Sequence, residues 1–187
     1  MKTGCIGVYG GSFDPPHLGH LLAASCALAC APIDGLLILP SAHHPLGKAP
    51  RASFDQRVAM CRATFSDLRR AEVDTLEAEL GGEGYTLTLL EELRRRQPGR
   101  ALRLIVGQDI LNQVERWHAW EQVTRLAPPW VIGRRGASAE QDGTLQIPDV
   151  SSREIRRRLA SGESVEGLVH RDVLAILARD NPYRASA

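Results

Sequence analysis

No run of apolar residues in this 187-residue chain approaches the roughly 20 that a membrane-spanning helix needs. Met1-Lys2-Thr3 leads straight into a β-rich stretch rather than a signal peptide, so a cytoplasmic location is expected. An excess of either charge is missing too: 23 Lys and Arg stand against 22 Asp and Glu, a formal charge of +1. That balance offers no electrostatic footprint for duplex nucleic acid or an anionic membrane, which leaves small molecules as the expected partners. Nothing in it speaks to oligomeric state. Cysteines are few. Cys5, Cys26, Cys30 and Cys61 lie in apolar segments and are expected to be small buried hydrophobes in a reducing compartment. Cys26 and Cys30 are four apart on a helical pattern, but no second Cys or His pair sits at a zinc-site spacing, so no metal site is expected.

Several common active-site motifs are absent as well. Gly47-Lys48 is followed by Ala49, so there is no P-loop. The turn after the first strand reads GxxGGS instead of GxGxxG, and Leu39-Pro40 ends the second strand without an acidic residue for a ribose. GxSxG and HExxH are missing, which removes the usual α/β-hydrolase and zincin chemistry.

What is present concentrates in Gly10 to Leu21, GGSFDPPHLGHL. The β-rich Gly4 to Tyr9 precedes it, and His17 to Ala31 follows as a helix. Asp14 stands where an N-cap belongs and Pro15 where a missing N–H is harmless, which puts His17 and His20 on one face of the first turn. A strand, a glycine turn and a helix start with free N–H groups make an anion site, and two imidazoles add donors. A plainer reading is that both histidines cap and pack. Zinc would need a third ligand that the sequence does not offer.

The remaining chain alternates. Gly35 to Leu39 is a buried strand, and its loop, Ser41 to Ala52, carries His43, His44, Lys48 and Arg51. Ser53 with Gln56 forms a capping box for a helix whose stripe of Phe54, Val58, Cys61 and Phe65 packs and does not react. A strand is expected over Glu72 to Leu76, and a glycine turn over Gly81 to Gly84. The helix Thr86 to Gln97 ends in Arg94, Arg95 and Arg96, a solvated end that complements its dipole. Strands follow at Ala101 to Val106, Trp130 to Gly133 and Thr144 to Ile147, with a mobile loop over Gly136 to Gly143. Ser151 with Glu154 forms a second capping box, Gly162 ends that helix, and Asp172 to Arg179 is the last.

Such alternation predicts one α/β domain over residues 1–187: an open parallel sheet with helices on both faces. Ligands bind such sheets at the carboxyl ends of the strands. The polar motifs do follow strands: Gly10 to His20, His43 to Lys48, and Gly107 to Asp109.

GGSFDPPHLGHL resembles the GGTFDPxHxGHL signature of the HxGH nucleotidyltransferase superfamily, and within it that of bacterial nicotinate-nucleotide adenylyltransferases. Further motifs occur in order. Gly84-Tyr85-Thr86 resembles the family's SYT, and Gly107-Gln108-Asp109 with Trp117 its GxD and following Trp. Arg134-Arg135-Gly136 resembles its R-P-G turn, and Ser151 to Arg156 its SSTxIR.

The resemblance implies a Rossmann-like nucleotidyltransferase fold and adenylyl transfer from ATP to nicotinate mononucleotide in NAD biosynthesis. It assigns catalysis to His17 and His20. ATP would be bound by Gly10, Gly11, Ser12, Phe13, Gly107, Asp109, Arg135, Ser151, Ser152 and Arg156, and the mononucleotide by Lys48, Thr86, Trp117 and His118. Magnesium would travel on the triphosphate. Four positions depart from the pattern: the loop around Lys48, Gly84 for Ser, His118 for Tyr, and Arg153 for Thr. These departures leave nicotinamide mononucleotide open as acceptor. Transfer to phosphopantetheine stays open too, as does ATP binding without turnover. Trp117 has a second reading as core, and Asp109 one as a helix cap.

Overall fold

The computed structural model describes residues 4–42, 49–82, 84–134, 146–147 and 150–184. Its sheet is parallel throughout and runs β3-β2-β1-β4-β5-β6. The strands are β1 Gly4–Gly11, β2 Gly35–Pro40, β3 Ala71–Val73, β4 Arg100–Gly107, β5 Pro129–Arg134 and β6 Gln146–Ile147. The helices are α1 Leu18–Cys30, α2 Phe54–Phe65, α3 Leu76–Leu80, α4 Thr86–Arg96, α5 Gln108–Leu111, α6 Trp120–Leu126, α7 Ser152–Ser161 and α8 Arg171–Arg179.

The period of two along each strand divides the core between the two faces. Ile38, Ile105 and Ile132 join Ala23, Ala24 and Ala27 of α1 and Cys61 and Phe65 of α2 on one side. Leu37, Leu39, Leu104 and Val106 meet Leu89, Leu90 and Leu93 of α4 and Val123 of α6 on the other. This is the expected two-sided α/β architecture. A third cluster lies away from the sheet, where Met60 of α2, Ile155 of α7, Val173 and Leu177 of α8 and Tyr183 pack together. It fastens α7, which carries the Ser151 to Arg156 motif, to the rest of the protein.

Four local expectations need correction. Asp14 does not cap α1; His17 does, with φ −147° and ψ 174°, and Asp14 is buried. The strand expected at Glu72 to Leu76 ends at Val73, because Thr75 begins α3, with Leu76 buried under it. Only Cys61 among the cysteines is buried; Cys30 is exposed because α1 turns its last residues outward. The second capping box is half made: Ser151 accepts from the Glu154 N–H at 3.3 Å, while the Glu154 carboxylate pairs with Arg157 and Arg158. The box at Ser53 and Gln56 is complete. The loop over Gly136 to Gly143 lies outside the described residues.

Candidate active site

The strand order reverses between β1 and β4: β2 and β3 are laid down on one side, β5 and β6 on the other. The crevice above the carboxyl ends of these two strands is where open α/β sheets bind ligands. Gly10 and Gly11 end β1 and Gly107 ends β4, so three of the residues expected at the ATP site stand at this switch point.

The turn leaving β1 is shaped by Phe13, whose φ of 47° drives its ring down into the core beneath Gly11. A Cβ on Gly11 would stand 3.2 Å from that ring, a tight contact that glycine avoids. Phe13 therefore reaches the site through its backbone alone. His17 is buried and His20 half-buried, with stacked rings 3.7 Å apart between centroids. His20 Nδ1 accepts from the His17 backbone N–H at 3.2 Å, so a neutral His20 carries its proton on Nε2 and donates from that side. The Phe13 ring meets His20 edge-on at 4.9 Å. Gly19, between the histidines, is tightly placed: a Cβ there would lie 3.0 Å from Cε1 and Nδ1 of His17, so the ring would have to give way. The helix start is not wholly open, since the Leu18 N–H donates to the Leu168 carbonyl at 2.9 Å. The donors for an anion here come from the histidines and the turn more than from a bare helix end.

Asp14 ties this turn to distant chain segments. Its Oδ1 accepts from the Tyr183 hydroxyl at 2.9 Å and from the Ala52 N–H at 3.1 Å, and its Oδ2 from the Arg51 N–H at 2.9 Å. Burial, and then the Asp14 carboxylate, push the Tyr183 hydroxyl's pKa up, so it stays a neutral donor. On the other side Arg156 Nη1 donates to the Asp14 carbonyl at 2.5 Å, and the Ser152 hydroxyl to the Pro15 carbonyl at 2.9 Å. The start of α7 is thereby fastened to the turn that carries His17 and His20. Arg57, 1% exposed, donates to the Ser12 carbonyl at 2.8 Å. Burial lowers its pKa, with Asp14 the main opposing charge.

On the far side of β4, Thr86 opens α4 and is half-buried. Gly84 before it has φ 68°, a conformation in which serine would be strained. The His118 ring stacks on Tyr85 with centroids 4.3 Å apart. Trp117 is half-buried and meets Trp120 edge-on at 5.2 Å. It joins the core cluster at its rim, which leaves part of the indole exposed beside His118. Ala119, next in the chain, takes φ 51° as the cap of α6.

The contacts thus join the Gly10 to His20 stretch to Ser152 and Arg156, and set Tyr85, beside Thr86, against His118, beside Trp117. Asp109 is the second residue of α5, whose cap is Gly107, so Asp109 is not that helix's cap. Lys48 and Arg135 lie outside the described residues. Sequence reasoning missed Arg57, hidden in a helix assigned only to packing, and Tyr183, whose partner lies 169 residues away. The one signal for Arg57 was a charge among the apolar residues of α2. Among the described residues no group of three or more His, Cys, Asp or Glu side chains could hold a metal ion, and no helix is long and apolar enough to cross a membrane.

A crevice at the switch point of an open parallel sheet, with the start of α7 fastened to the turn that carries His17 and His20, is an arrangement of the nucleotidyltransferase class. The cytidylyltransferase-like family profile matches residues 8–158. A probable nicotinate-nucleotide adenylyltransferase of Anaeromyxobacter sp. (strain K) is 42% identical over 182 residues, 96% of either chain. One of Thermus thermophilus is 36% identical over 185 residues, covering 96% of this chain and 99% of that one. The chain belongs to the cytidylyltransferase-like family, and within it stands with these nicotinate-nucleotide adenylyltransferases. A solved structure of the Plasmodium falciparum nicotinic acid mononucleotide adenylyltransferase, complexed with NaAD, has the same fold. Its TM-score is 0.79 at 17% identity, over 96% of this chain and 97% of that one.

Proposed function

We propose that the protein transfers the adenylyl group of ATP to nicotinate mononucleotide, giving deamido-NAD and pyrophosphate in NAD biosynthesis. A phosphate oxygen of the mononucleotide attacks the α-phosphorus of ATP, and the bond from that phosphorus to the bridging oxygen breaks as pyrophosphate leaves. The observation that carries this reading is the joining of the two phosphate motifs, Arg156 to Asp14 and Ser152 to Pro15. The named activity of relatives at 42% and 36% identity supports the choice of acceptor.

Such a transfer needs no nucleophilic side chain, because it proceeds by positioning and by stabilising charge on phosphate oxygens. His20 donates from Nε2 and His17 lies stacked beside it, so both imidazoles serve the oxygens that gain charge as the bond breaks. Arg156 offers a permanent cation with a planar fork, and Ser151 and Ser152 stand with it at the start of α7. Gly10, Gly11, Ser12 and the Phe13 backbone form the floor under the nucleotide, with Gly107, Asp109 and Arg135 on the adenosine side. Arg57 anchors that floor from below. Thr86, Trp117, His118 and Lys48 serve the mononucleotide, the indole stacking on the pyridine ring. Magnesium belongs to the triphosphate and enters as part of the substrate. Residues 1–187 act as one nucleotidyltransferase domain, with small molecules as its partners.

Incubation with magnesium, ATP and each candidate acceptor tests the reading. Deamido-NAD and pyrophosphate from nicotinate mononucleotide support it, and ATP binding without pyrophosphate release contradicts it.

A further inference from the structure

Among the described residues three Asp, Glu, Lys or Arg side chains are buried: Asp14, Arg57 and Glu77. Asp14 and Arg57 serve the turn that carries the histidines, whereas Glu77, 8% exposed, stands apart from it as the second residue of α3. An ionised carboxylate is costly to bury unless it is bonded, so what Glu77 holds matters. Its Oε1 accepts from the Ala42 N–H at 3.1 Å. Ser41, one residue earlier, donates from its N–H to the Gly11 carbonyl at 2.9 Å as the chain leaves β2. At the other end of the connection from β2 to α2, the Arg51 and Ala52 N–H groups are held by Asp14. One connection is therefore fixed at its entry by Glu77 and at its exit by Asp14. Arg57 senses both anchors: burial lowers its pKa, and the charges of Asp14 and Glu77 are among those that oppose the shift.

The two anchors belong to different layers of the protein. Asp14 is bonded to Tyr183, which packs with Met60 of α2 and Ile155 of α7. Leu76, beside Glu77, packs instead with Leu37 and Leu39 of β2 and with Leu87, Leu89 and Leu90 of α4, and Trp117 joins the rim of that cluster. This second layer carries Thr86 at the start of α4 as well as Trp117, two residues proposed for the mononucleotide. Because α3 packs against both β2 and α4, the bond from Ala42 to Glu77 sets where that layer stands relative to the end of β2.

We propose that Glu77 is a positioning residue for the acceptor: by holding the Ala42 N–H it fixes the end of β2 against the layer of Thr86 and Trp117, and so governs affinity for the mononucleotide and not for ATP. The inference rests on the proposed activity, which makes a pyridine mononucleotide the acceptor. Glu77 acts through the hydrogen bond, not through its charge, and touches no reacting atom.

Three substitutions separate these contributions. Glu77→Met keeps the buried volume and removes the acceptor oxygen, Glu77→Gln keeps an acceptor oxygen and removes the charge, and Glu77→Asp keeps the charge on a side chain one methylene shorter. Calorimetric titration with nicotinate mononucleotide should show affinity weakened about tenfold in Glu77→Met, within about twofold of the parent in Glu77→Gln, and intermediate in Glu77→Asp. The mononucleotide KM should follow the same order, while the KM for ATP and kcat stay within about twofold of the parent. If Glu77→Met does not fold, the order of Glu77→Gln and Glu77→Asp decides the matter. A Glu77→Asp protein that binds better than Glu77→Gln overturns the proposal, because charge would then be what counts. Mononucleotide affinity equal to the parent's in every variant that folds overturns it as well. So does a KM for ATP that rises in parallel, or a loss of kcat with both KM values unchanged, the pattern of a carboxylate that only supports folding. Titration needs no turnover, so a parent protein that binds the mononucleotide and makes no dinucleotide refutes the proposed activity alone; one that does not bind it overturns both.

Discussion

Replacing Tyr183 with Phe removes one hydroxyl and little else, because the ring is fully buried among Met60, Ile155 and Leu177. The lost interaction is the 2.9 Å bond from the Tyr183 hydroxyl to Asp14 Oδ1. A hydrogen bond to a carboxylate contributes about 1.5 to 3 kcal/mol. Oδ1 keeps the Ala52 N–H at 3.1 Å, so the lower part of that range applies. The expected loss is about 1.5 to 2 kcal/mol, which for a domain of this size lowers Tm by about 3 to 8 °C. pH provides an independent check. Burial and Asp14 raise the folded-state pKa of Tyr183 above its unfolded value of about 10. Above pH ~10 the unfolded chain then binds fewer protons than the folded one, and stability falls by about 1.4 kcal/mol per pH unit from this group. The phenylalanine variant lacks that loss, so its deficit should shrink from pH ~10 upward and largely close near pH ~11. Urea unfolding of both proteins between pH 8 and 11 measures this. A deficit below about 0.5 kcal/mol at pH 8, or one that stays constant to pH 11, would refute the placement of Tyr183 on Asp14.

His20→Ala should lower kcat by about 100-fold or more while the mononucleotide KM changes little, since an interaction strengthened only in the transition state acts on kcat. Steady-state kinetics with an unchanged kcat would remove His20 from its role. Trp117→Ala should act the other way, raising the mononucleotide KM with a small effect on kcat. Gly19→Ala should push the His17 ring aside, because its Cβ meets that ring at 3.0 Å, and kcat should drop without global unfolding. A fully active Gly19→Ala protein would show that the His17 position is not critical. Arg57→Met should raise the KM for ATP about tenfold, since the Ser12 carbonyl loses its donor and the floor of the site loosens.

The sheet was legible because its strands are short apolar runs bounded by Gly and Pro, as in Gly35–Pro40 and Arg100–Gly107. The two polar motifs, Gly10 to His20 and Ser151 to Arg156, were legible because each is contiguous in the chain and leads into a helix. Asp14 was misread for a physical reason. Asp-Pro ahead of an apolar helix has the local form of a cap, whereas its actual partners, Ala52 and Tyr183, are 38 and 169 residues away. Arg57 was hidden because a helical stripe reports which face is buried and not what a single cation on it holds. The boundary of β3 failed because three residues of edge strand leave no period to read. At Gly84 the departure from the family pattern was visible in sequence, but its cause, a φ of 68°, became clear only in the structure.

Purified protein with magnesium and ATP, offered nicotinate mononucleotide, nicotinamide mononucleotide and phosphopantetheine in parallel, tests the assignment of reaction and acceptor together. Chromatography of the products beside a pyrophosphate assay should show deamido-NAD and pyrophosphate in equal amounts, with the highest kcat/KM for nicotinate mononucleotide. No dinucleotide from either pyridine acceptor, or a higher kcat/KM with phosphopantetheine, would contradict the account.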